Sequence, residues 1–500
     1  MPTITTGRRR ASSSSPRTRR PRRAQSCRRD LERRRRTARK ARAARRELQR
    51  IHRAVPEPAR SLFDSLASAF TRPTFLRFVA LGLAAILTVG CRTVCNLLRT
   101  LGTALAPGHP SSYHRVFSKR RWSCWRLARC LAGWVLDHLA PEGKVLLAGD
   151  DTVEEHPGDK VFGKACHRDP VRSTHSYTAF RWGHKWVVLA VLVRFPFAKR
   201  PWALPVLVAP YRGAAEDEKA GRKHETPQQL LRQLCRVLLR WFGQRRFILT
   251  GDGSFATHEL ARFAAARRRG RLTLVCPFYP DANLYRPAPP YSGKGRPRVK
   301  GDKLPTPQEV VAKRKRRARP EVAWYGGGRR DAEAVSGTGH WFESGHGLVA
   351  VRWVFVHDLT GTHRDSYFMT TDVTMSAAEV IETYTGRWNV ETTSQEMRSY
   401  LGLETTRGWK EETVLRAAPC LFGLYSVVAY LYSQLPRRYA RLRAVDWAGK
   451  QDVTFSDAIT AVRRWLWLGW VFAIPGYGPA FRKLSRPFRA LLLHALAPAA

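Results

Sequence analysis

Acidic side chains stand in the sequence where two short apolar runs end. Asp150 and Asp151 follow the run 144–148, and Asp252 follows the run 246–250 with a glycine on either side. Both runs are typical of buried strands, and flanking glycines leave room for a phosphate or an ion to approach. A lone aspartate after a strand is commonly a turn former, so neither position alone predicts chemistry.

A third acid lies on a predicted helix far along the chain. Ser376 and Glu379 have the spacing of a capping box, which begins a helix. At about 100° per residue, one face of that helix carries Tyr384, Arg387, Glu391 and Arg398. By itself this stripe also fits a solvent-exposed face. With the aspartates it fits a metal site, because two Mg²⁺ ions about 4 Å apart need shared carboxylate oxygens.

The stretch from Tyr384 to Arg398 resembles the segment that carries the third catalytic acid in DDE insertion-sequence transposases. That family's signature is Tyr, two residues, Arg, three residues, Glu, six residues and Lys. Tyr384, Arg387 and Glu391 match it at the right spacing, and Arg398 stands in place of the Lys. A guanidinium keeps the charge but does not simply replace an ammonium. The likeness covers roughly residues 63–435, and it is diffuse outside the Tyr-Arg-Glu stretch.

The resemblance implies an Mg²⁺-dependent enzyme, with Mn²⁺ as a substitute and no organic cofactor. Asp150, Asp252 and Glu391 would be the catalytic metal ligands. In that family the first acid is an Asp two residues before a Thr, which selects Asp150. Asp151 stays open as a ligand, because one sequence does not fix the register of the strand.

The partners implied by the resemblance are double-stranded DNA at mobile-element ends and in the target, with a homodimer expected on the DNA. Tyr384, Arg387 and Arg398 would hold the DNA backbone. Two rivals remain open, a nuclease of the same fold that does not rejoin DNA, and a non-catalytic DNA-binding relative.

The charge also indicates a polyanionic partner. The formal net charge is +49, from 88 basic and 39 acidic residues, which favours nucleic acid through counterion release. Residues 1–55 form a basic leader, predicted to be disordered to about Asp30 and helical from Leu31 to Ile51. A DNA-clamping role, an inert tail and sequence upstream of the true start codon are all open for it.

The order of predicted elements indicates an α/β fold with a ribonuclease H-like core. Residues 56–140 are predicted to be an all-α DNA-binding module. Residues 141–280 contain three strands, a helix, a strand, a helix and a strand, which fits the first part of that core. A β-rich insertion is predicted at 281–372, the second part of the core with the Glu391 helix at 373–435, and further helices at 436–500.

Two basic regions are candidates for DNA contact. In the helical module, predicted helices at 92–101 and 111–118 would form a helix-turn-helix reader with Arg115, Lys119 and Arg120, although helices joined by a Gly/Pro turn are common. In the insertion, the resemblance suggests a grip on the transposon end by Lys313, Arg314 and Arg316. Trp324 would stack there on an extruded base, or else be a core residue.

Several other signals are interpreted as ordinary. The nine cysteines lack zinc-finger spacing, and His156, Asp159, Cys166 and His167 are interpreted as loop residues without a tetrahedral site. The apolar run 78–91 is short of a bilayer span, and the apolar C-terminal helices are interpreted as core. These signals predict a cytoplasmic protein associated with the nucleoid and no membrane partner.

Overall fold

Helices occupy both ends of the described chain and the strands lie between them. The computed structural model describes residues 20–169, 172–266, 270–291, 293, 295–440 and 448–498, with side chains from residue 31 onward. The strands are β1 Lys144–Glu155, β2 Ala165–Arg168, β3 Phe180–Val193, β4 Trp202–Tyr211, β5 Arg246–Gly251, β6 Leu272–Pro277, β7 Leu284–Tyr285, β8 Glu321–Ala323, β9 Arg329–Glu343, β10 Gly347–Asp358 and β11 Ser366–Thr370. The helices are α1 Arg20–Arg53, α2 Ala59–Ser65, α3 Arg72–Leu87, α4 Val94–Leu105, α5 Ser111–Ser118, α6 Cys124–Leu139, α7 Ala214–Lys219, α8 Pro227–Trp241, α9 His258–Ala265, α10 Pro307–Lys313, α11 Ala377–Gly386, α12 Asn389–Leu401, α13 Glu411–Ser433, α14 Arg437–Ala440, α15 Phe455–Leu466, α16 Gly478–Lys483 and α17 Arg486–Leu496. The predicted mixed α/β architecture is confirmed.

The described strands form one mixed sheet, in which β1 lies between β3 and β5. β1 pairs antiparallel with β3 and parallel with β5, and β5 pairs parallel with β6. β2 and β4 both pair with β3. β1 and β5 are short apolar runs in the sequence because helices cover both faces of this part of the sheet.

The segment predicted to be a β-rich insertion contributes its strands to the central sheet. Its strand β11 pairs antiparallel with β6, placing Phe368 opposite Pro277, and β10, β9 and β7 follow in order. The segment therefore extends the central sheet. This arrangement covers the edge of β6, whose backbone groups would otherwise lack ladder partners.

Small residues set the spacing between the sheet and its two helical layers. On one face, Leu231 of α8 fills the space over Gly149, where a Cβ atom would lie 2.6 Å from the leucine side chain. On the other face, Val390 of α12 packs against Ala148 and Ala190. The alanines let α12 lie close to β1, which brings the polar residues of the helix near the strand.

The long helix α13 packs along β4 and α15. By length and composition it could cross a membrane, but 67% of its apolar window is buried among other parts of the chain. Core helices of soluble proteins can also have this length and apolar composition.

The N-terminal helices share their core with the sheet. α3 packs on α13 and α15, and α6 packs on β4 and α13. Leu48 and Ile51 of α1 are buried in the same cluster. α1 begins at Arg20, so residues 20–30 are helical where the sequence predicted disorder. Residues 1–19 lie outside the described residues, as do Arg267 and Arg268, which the sequence placed in the helix observed as α9.

Two buried arginines tie the end of α3 to the end of α12. Arg463 of α15 donates to the carbonyls of Ile86, Thr88 and Tyr400, and Arg92 donates to Tyr400 as well. Arg463 is 2% exposed, and burial lowers its pKa to about 9. These bonds satisfy carbonyls that the helix ends leave unpaired, and they fix α12 against the N-terminal helices.

We expect Arg463→Met to lower the free energy of unfolding by about 2–4 kcal/mol, because the buried carbonyls of Ile86 and Thr88 lose the Arg463 donor and Tyr400 keeps only Arg92. Urea unfolding followed by circular dichroism measures the change. The matched control is Arg194→Met, since Arg194 is exposed, and it should cost less than about 0.5 kcal/mol. An equal loss in both variants would contradict a role for Arg463 in joining the helix ends.

Candidate active site

Neighbouring strands bring the first two acids side by side. The last parallel pair between β1 and β5 is Gly149 opposite Gly251, so Asp150 and Asp252 are the next residues on adjacent strands. The sequence placed Asp150 at the end of its strand, and this is wrong. β1 continues to Glu155 because it stays paired with β3, with Asp150 opposite Val188.

The pleat of β1 sends Asp150 and Asp151 to opposite faces of the sheet. Asp150 shares the face of Ala148, which packs under α12. Asp151 shares the face of Gly149 and forms a salt bridge from Oδ2 to Lys185 Nζ at 3.0 Å. Only Asp150 therefore lies on the face where the polar residues of α12 approach.

Asp252 occupies the turn after β5. Its Oδ1 accepts hydrogen bonds from Ser254 N at 3.0 Å and Ser254 Oγ at 2.6 Å, which hold the carboxylate in place. The two flanking glycines have different roles. A Cβ atom on Gly253 would meet nothing within 4 Å, whereas one on Gly251 would lie 2.8 Å from Phe255 Cβ. Open space for a ligand therefore exists only beside Gly253, and Gly251 serves packing.

Glu391 approaches from the first turn of α12. The single helix predicted from Ser376 onward is in fact two helices, since α11 ends at Gly386 and α12 begins at Asn389. The intervening Arg387 and Trp388 keep right-handed helical dihedral angles. The polar face is therefore nearly preserved across the break.

Arg387 connects the first and third acids. Its Nη2 lies 2.9 Å from Glu391 Oε1, and its Nη1 lies 3.9 Å from Asp150 Oδ2. The guanidinium is buried, while Glu391 is 46% exposed. The contact shows that the α12 glutamate and the β1 aspartate meet at one place.

The carboxylates of Asp150, Asp252 and Glu391 interact electrostatically. The pKa of Asp150 is raised to about 8, chiefly by burial and also by the charges of Asp252, Glu391 and Asp151, against the opposing effect of Arg387. Crowded carboxylates in a buried position favour binding of a cation. The available donors are carboxylate oxygens, which suit Mg²⁺ or Mn²⁺. The residues present therefore fit the metal that the resemblance implies.

Two tyrosines lie beside this cluster, and the sequence identified only one of them. Tyr384 packs on Phe368 with ring centroids 4.3 Å apart, and Arg387 lies over its ring. Tyr325 was not singled out as a site residue. Burial raises its pKa to about 12, and the neighbouring charges that also act on it include Arg387 and Glu391. It comes from a loop between β8 and β9, so only a long-range contact places it here.

Trp324 is a core residue and does not offer its ring to a base. It is 7% exposed, its Nε1 donates to His363 Nδ1 at 3.4 Å, and Arg330 lies over its ring. Of the alternatives left by the sequence, the core position is the one observed. The cations of the same segment, Lys313, Arg314 and Arg316, are exposed.

Arg398 lies apart from the three acids. Its Nη1 donates to Thr152 Oγ1 at 2.9 Å, two residues farther along β1 than Asp150. With Arg172, Arg181 and Glu404 it lines a polar cleft of about 330 Å³. Arg398 therefore lies on the same face of the sheet as Asp150, but its described hydrogen bond is to Thr152 and not to Asp150 or Glu391.

The basic residues proposed for the helix-turn-helix reader are accessible. α5 has the predicted bounds Ser111–Ser118, and Arg115, Lys119 and Arg120 are exposed. The helix before it was predicted at 92–101 and is observed at Val94–Leu105, because Thr93 caps it by accepting a hydrogen bond from Asn96 N.

A second group of polar side chains, Glu154, His156 and His184, lies buried farther along β1. The sequence assigned His156, Cys166 and His167 to a loop, which is wrong for the last two, since they belong to β2. Glu154 and His156 are two residues apart, which is the spacing that places two side chains on one face of a strand. This spacing was the signal in the sequence that could have paired them. Their partner His184 comes from β3, which the sequence did not align with them.

The comparison with protein families points to one class of enzyme. A family model described as DDE superfamily endonuclease matches residues 65–331, more than half of the chain. The matched region includes Asp150 and Asp252 and ends before Glu391. No curated protein matches the chain.

Proposed function

The chain belongs to the DDE superfamily endonucleases, and from this premise we propose that it is a DNA transposase that cuts and rejoins phosphodiesters at mobile-element ends. The observation that carries the proposal is the contact of Arg387 with both Asp150 and Glu391, next to Asp252 on the adjacent strand. It supports a three-acid centre whose third member lies outside the matched region.

In the proposed mechanism, Asp150, Asp252 and Glu391 hold two Mg²⁺ ions. When bound, such ions activate the attacking water or 3′ hydroxyl and stabilise the leaving oxygen of an in-line displacement. Arg387 orients the Glu391 carboxylate through the 2.9 Å contact and offsets the negative charge of Asp150. The open space beside Gly253 leaves room for the phosphate of the substrate.

Polar groups around the acids would position the cut strand. The hydroxyls of Tyr384 and Tyr325 are proposed to donate to phosphate oxygens beside the cluster, since neutral donors satisfy a phosphate without adding charge to the metal site. Arg398 would contact the strand farther along β1, from the cleft beside Thr152.

The proposed partners are double-stranded DNA at the element ends and in the target, bound by a homodimer. The exposed cations of α5 and those after α10 are proposed contacts, and α1 supplies a further basic surface from Arg33 to Arg46. Such contacts give affinity that falls with salt. The proposed location is the cytoplasm, in association with the nucleoid.

A strand-transfer assay tests this proposal. Labelled DNA from the flanks of the gene, containing any inverted repeats that bracket it, is incubated with the protein, a plasmid and Mg²⁺. We expect cleavage at the repeat ends and joining of the label to the plasmid. Cleavage without joining would identify a nuclease of this fold, and DNA binding without cleavage would identify a non-catalytic relative.

We expect Tyr325→Phe to slow cleavage about tenfold, because loss of one hydrogen bond to the substrate costs about 1.4 kcal/mol. Single-turnover cleavage rates at saturating protein measure the effect. Tyr177 is 65% exposed, so Tyr177→Phe serves as the control and should cleave at the normal rate. Unchanged cleavage in Tyr325→Phe would show that the Tyr325 hydroxyl does not contact the substrate.

A further inference from the structure

Three buried side chains converge at the far end of β1. Glu154 lies directly opposite His184 in the antiparallel pair of β1 and β3, and His156 follows two residues later on the same face. One potential ligand atom from each lies within 4.8 Å of the others. Glu154 is 0%, His156 1% and His184 7% exposed. This convergence places two imidazoles and one carboxylate around a single point.

The hydrogen bonding of His184 leaves one ring nitrogen free to bind a ligand. Its Nε2 lies 2.7 Å from the carbonyl oxygen of Phe162, and a carbonyl can only accept. Nε2 therefore carries the proton, and Nδ1 presents a lone pair. Among the described residues, Nδ1 has no hydrogen-bond partner. A histidine that donates one N–H to a backbone carbonyl and turns the other nitrogen inward has the arrangement usual for metal ligands.

The Glu154 carboxylate is similarly short of partners, and the contact of His156 with the backbone of Thr406 falls short of good hydrogen-bond geometry. The indole of Trp186 faces the Glu154 carboxylate, yet within the described chain neither carboxylate oxygen makes a hydrogen bond of good geometry. His156 Nε2 lies 3.5 Å from Glu154 Oε2. Two ligands bound at about 2.1 Å to a tetrahedral ion lie roughly 3.4 Å apart, so this spacing suits a shared ion.

We propose that Glu154, His156 and His184 bind a structural transition-metal ion, with Zn²⁺ as the best match to two imidazoles and one carboxylate. The site is separate from the proposed catalytic acids. Glu154 is four residues beyond Asp150, which is about 13 Å along an extended strand. Imidazole donors also suit Zn²⁺ better than Mg²⁺, so the two sites differ in the metal they prefer.

The bound ion would stabilise the end of β1 and the segments that cover it. The loop after β1 supplies the Phe162 carbonyl that orients His184, and Phe162 N donates to Gly408 O at 3.0 Å. Burial raises the pKa of Glu154 well above its ordinary value, and a cation would offset that cost of ionisation. The charges of Arg398 and Glu404 also affect the pKa of Glu154. Both residues line the polar cleft described above, so the ion would help to hold that cleft in place.

Metal content of the untagged full-length protein tests the proposal. The Glu391→Gln variant is used as the background so that the catalytic acids contribute little to metal retention. After dialysis against metal-free buffer, inductively coupled plasma mass spectrometry should find roughly one Zn²⁺ per chain. Glu154→Gln or His184→Asn in that background should reduce retention at least about tenfold.

A buried histidine elsewhere provides the matched control. His258 is 3% exposed and lies on α9, far in sequence from the cluster. His258→Asn should retain the ion in the same background. If a cluster variant fails to fold, X-ray absorption spectroscopy is measured on the Glu391→Gln protein loaded with Zn²⁺. Scattering from histidine ligands around the zinc is the expected result.

Two results would overturn the proposal. The first is absence of retained metal together with no uptake of added Zn²⁺, which would mean that the three side chains form a neutral hydrogen-bonded group. The second is retention that is unaffected by Glu154→Gln and His184→Asn in folded protein. Both readouts are independent of DNA cleavage, so they remain valid if the proposed transposase activity is wrong.

Discussion

Glu391→Gln is expected to reduce DNA cleavage by at least about 1000-fold, which corresponds to roughly 4 kcal/mol of lost transition-state stabilisation. The amide has the same size as the carboxylate but no negative charge, so it binds a divalent ion poorly. DNA affinity should be unchanged, because the basic surfaces lie elsewhere. Cleavage rates and fluorescence anisotropy with the same labelled DNA measure the two properties.

The control for this variant is Glu218→Gln on α7, where the side chain is exposed. It makes the same chemical change away from the acids and should cleave normally. Normal cleavage by a folded Glu391→Gln variant would show that the third acid is not Glu391, and the assignment taken from the Tyr-Arg-Glu spacing would then fail.

Asp150→Asn and Asp151→Asn are expected to differ sharply, although the two residues are neighbours in sequence. Asp150 faces α12 and Arg387, and its replacement should lower cleavage about 1000-fold. Asp151 faces the other side of the sheet and pairs with Lys185. Its replacement should cost no more than about tenfold, because a part-buried ion pair contributes roughly 1 kcal/mol.

The comparison of these two variants tests whether Asp150 or Asp151 is the metal ligand, which the sequence left open. Thermal unfolding of both proteins must be measured as well, since loss of folded protein would also lower cleavage. A greater loss of cleavage in Asp151→Asn than in Asp150→Asn, with both variants folded, would make Asp151 the ligand and would require a different register or pleat for β1.

Much of the local structure was predictable because it depends on neighbours in the chain. α8, Pro227–Trp241, has an apolar period and a capping box at Thr226, so its position follows from residues close together in the sequence. The membership in the DDE superfamily endonucleases is confirmed by the family match. The spacing of Tyr384, Arg387 and Glu391 survives a break in the helix, because the residues between α11 and α12 keep helical dihedral angles.

Other features were predicted wrongly or stayed open in the sequence, because a distant strand or loop determines the environment. β1 runs past Asp150 because β3 pairs with it, and no local feature of residues 149–155 specifies that partner. The 281–372 segment joins the central sheet because the edge of β6 is available to β11. Trp324 is buried by residues from elsewhere, including His363.

The sequence by itself determined the mixed α/β character, the acid candidates and the positive charge of the proposed DNA-binding surfaces, since each depends on residue type or short-range spacing. Tertiary structure alone decided which of Asp150 and Asp151 faces α12, that Tyr325 lies beside Glu391, and that His184 meets Glu154 and His156. The physical reason is that strand pairing and pleat set the direction of each side chain, and pairing is a long-range contact that residue spacing does not specify.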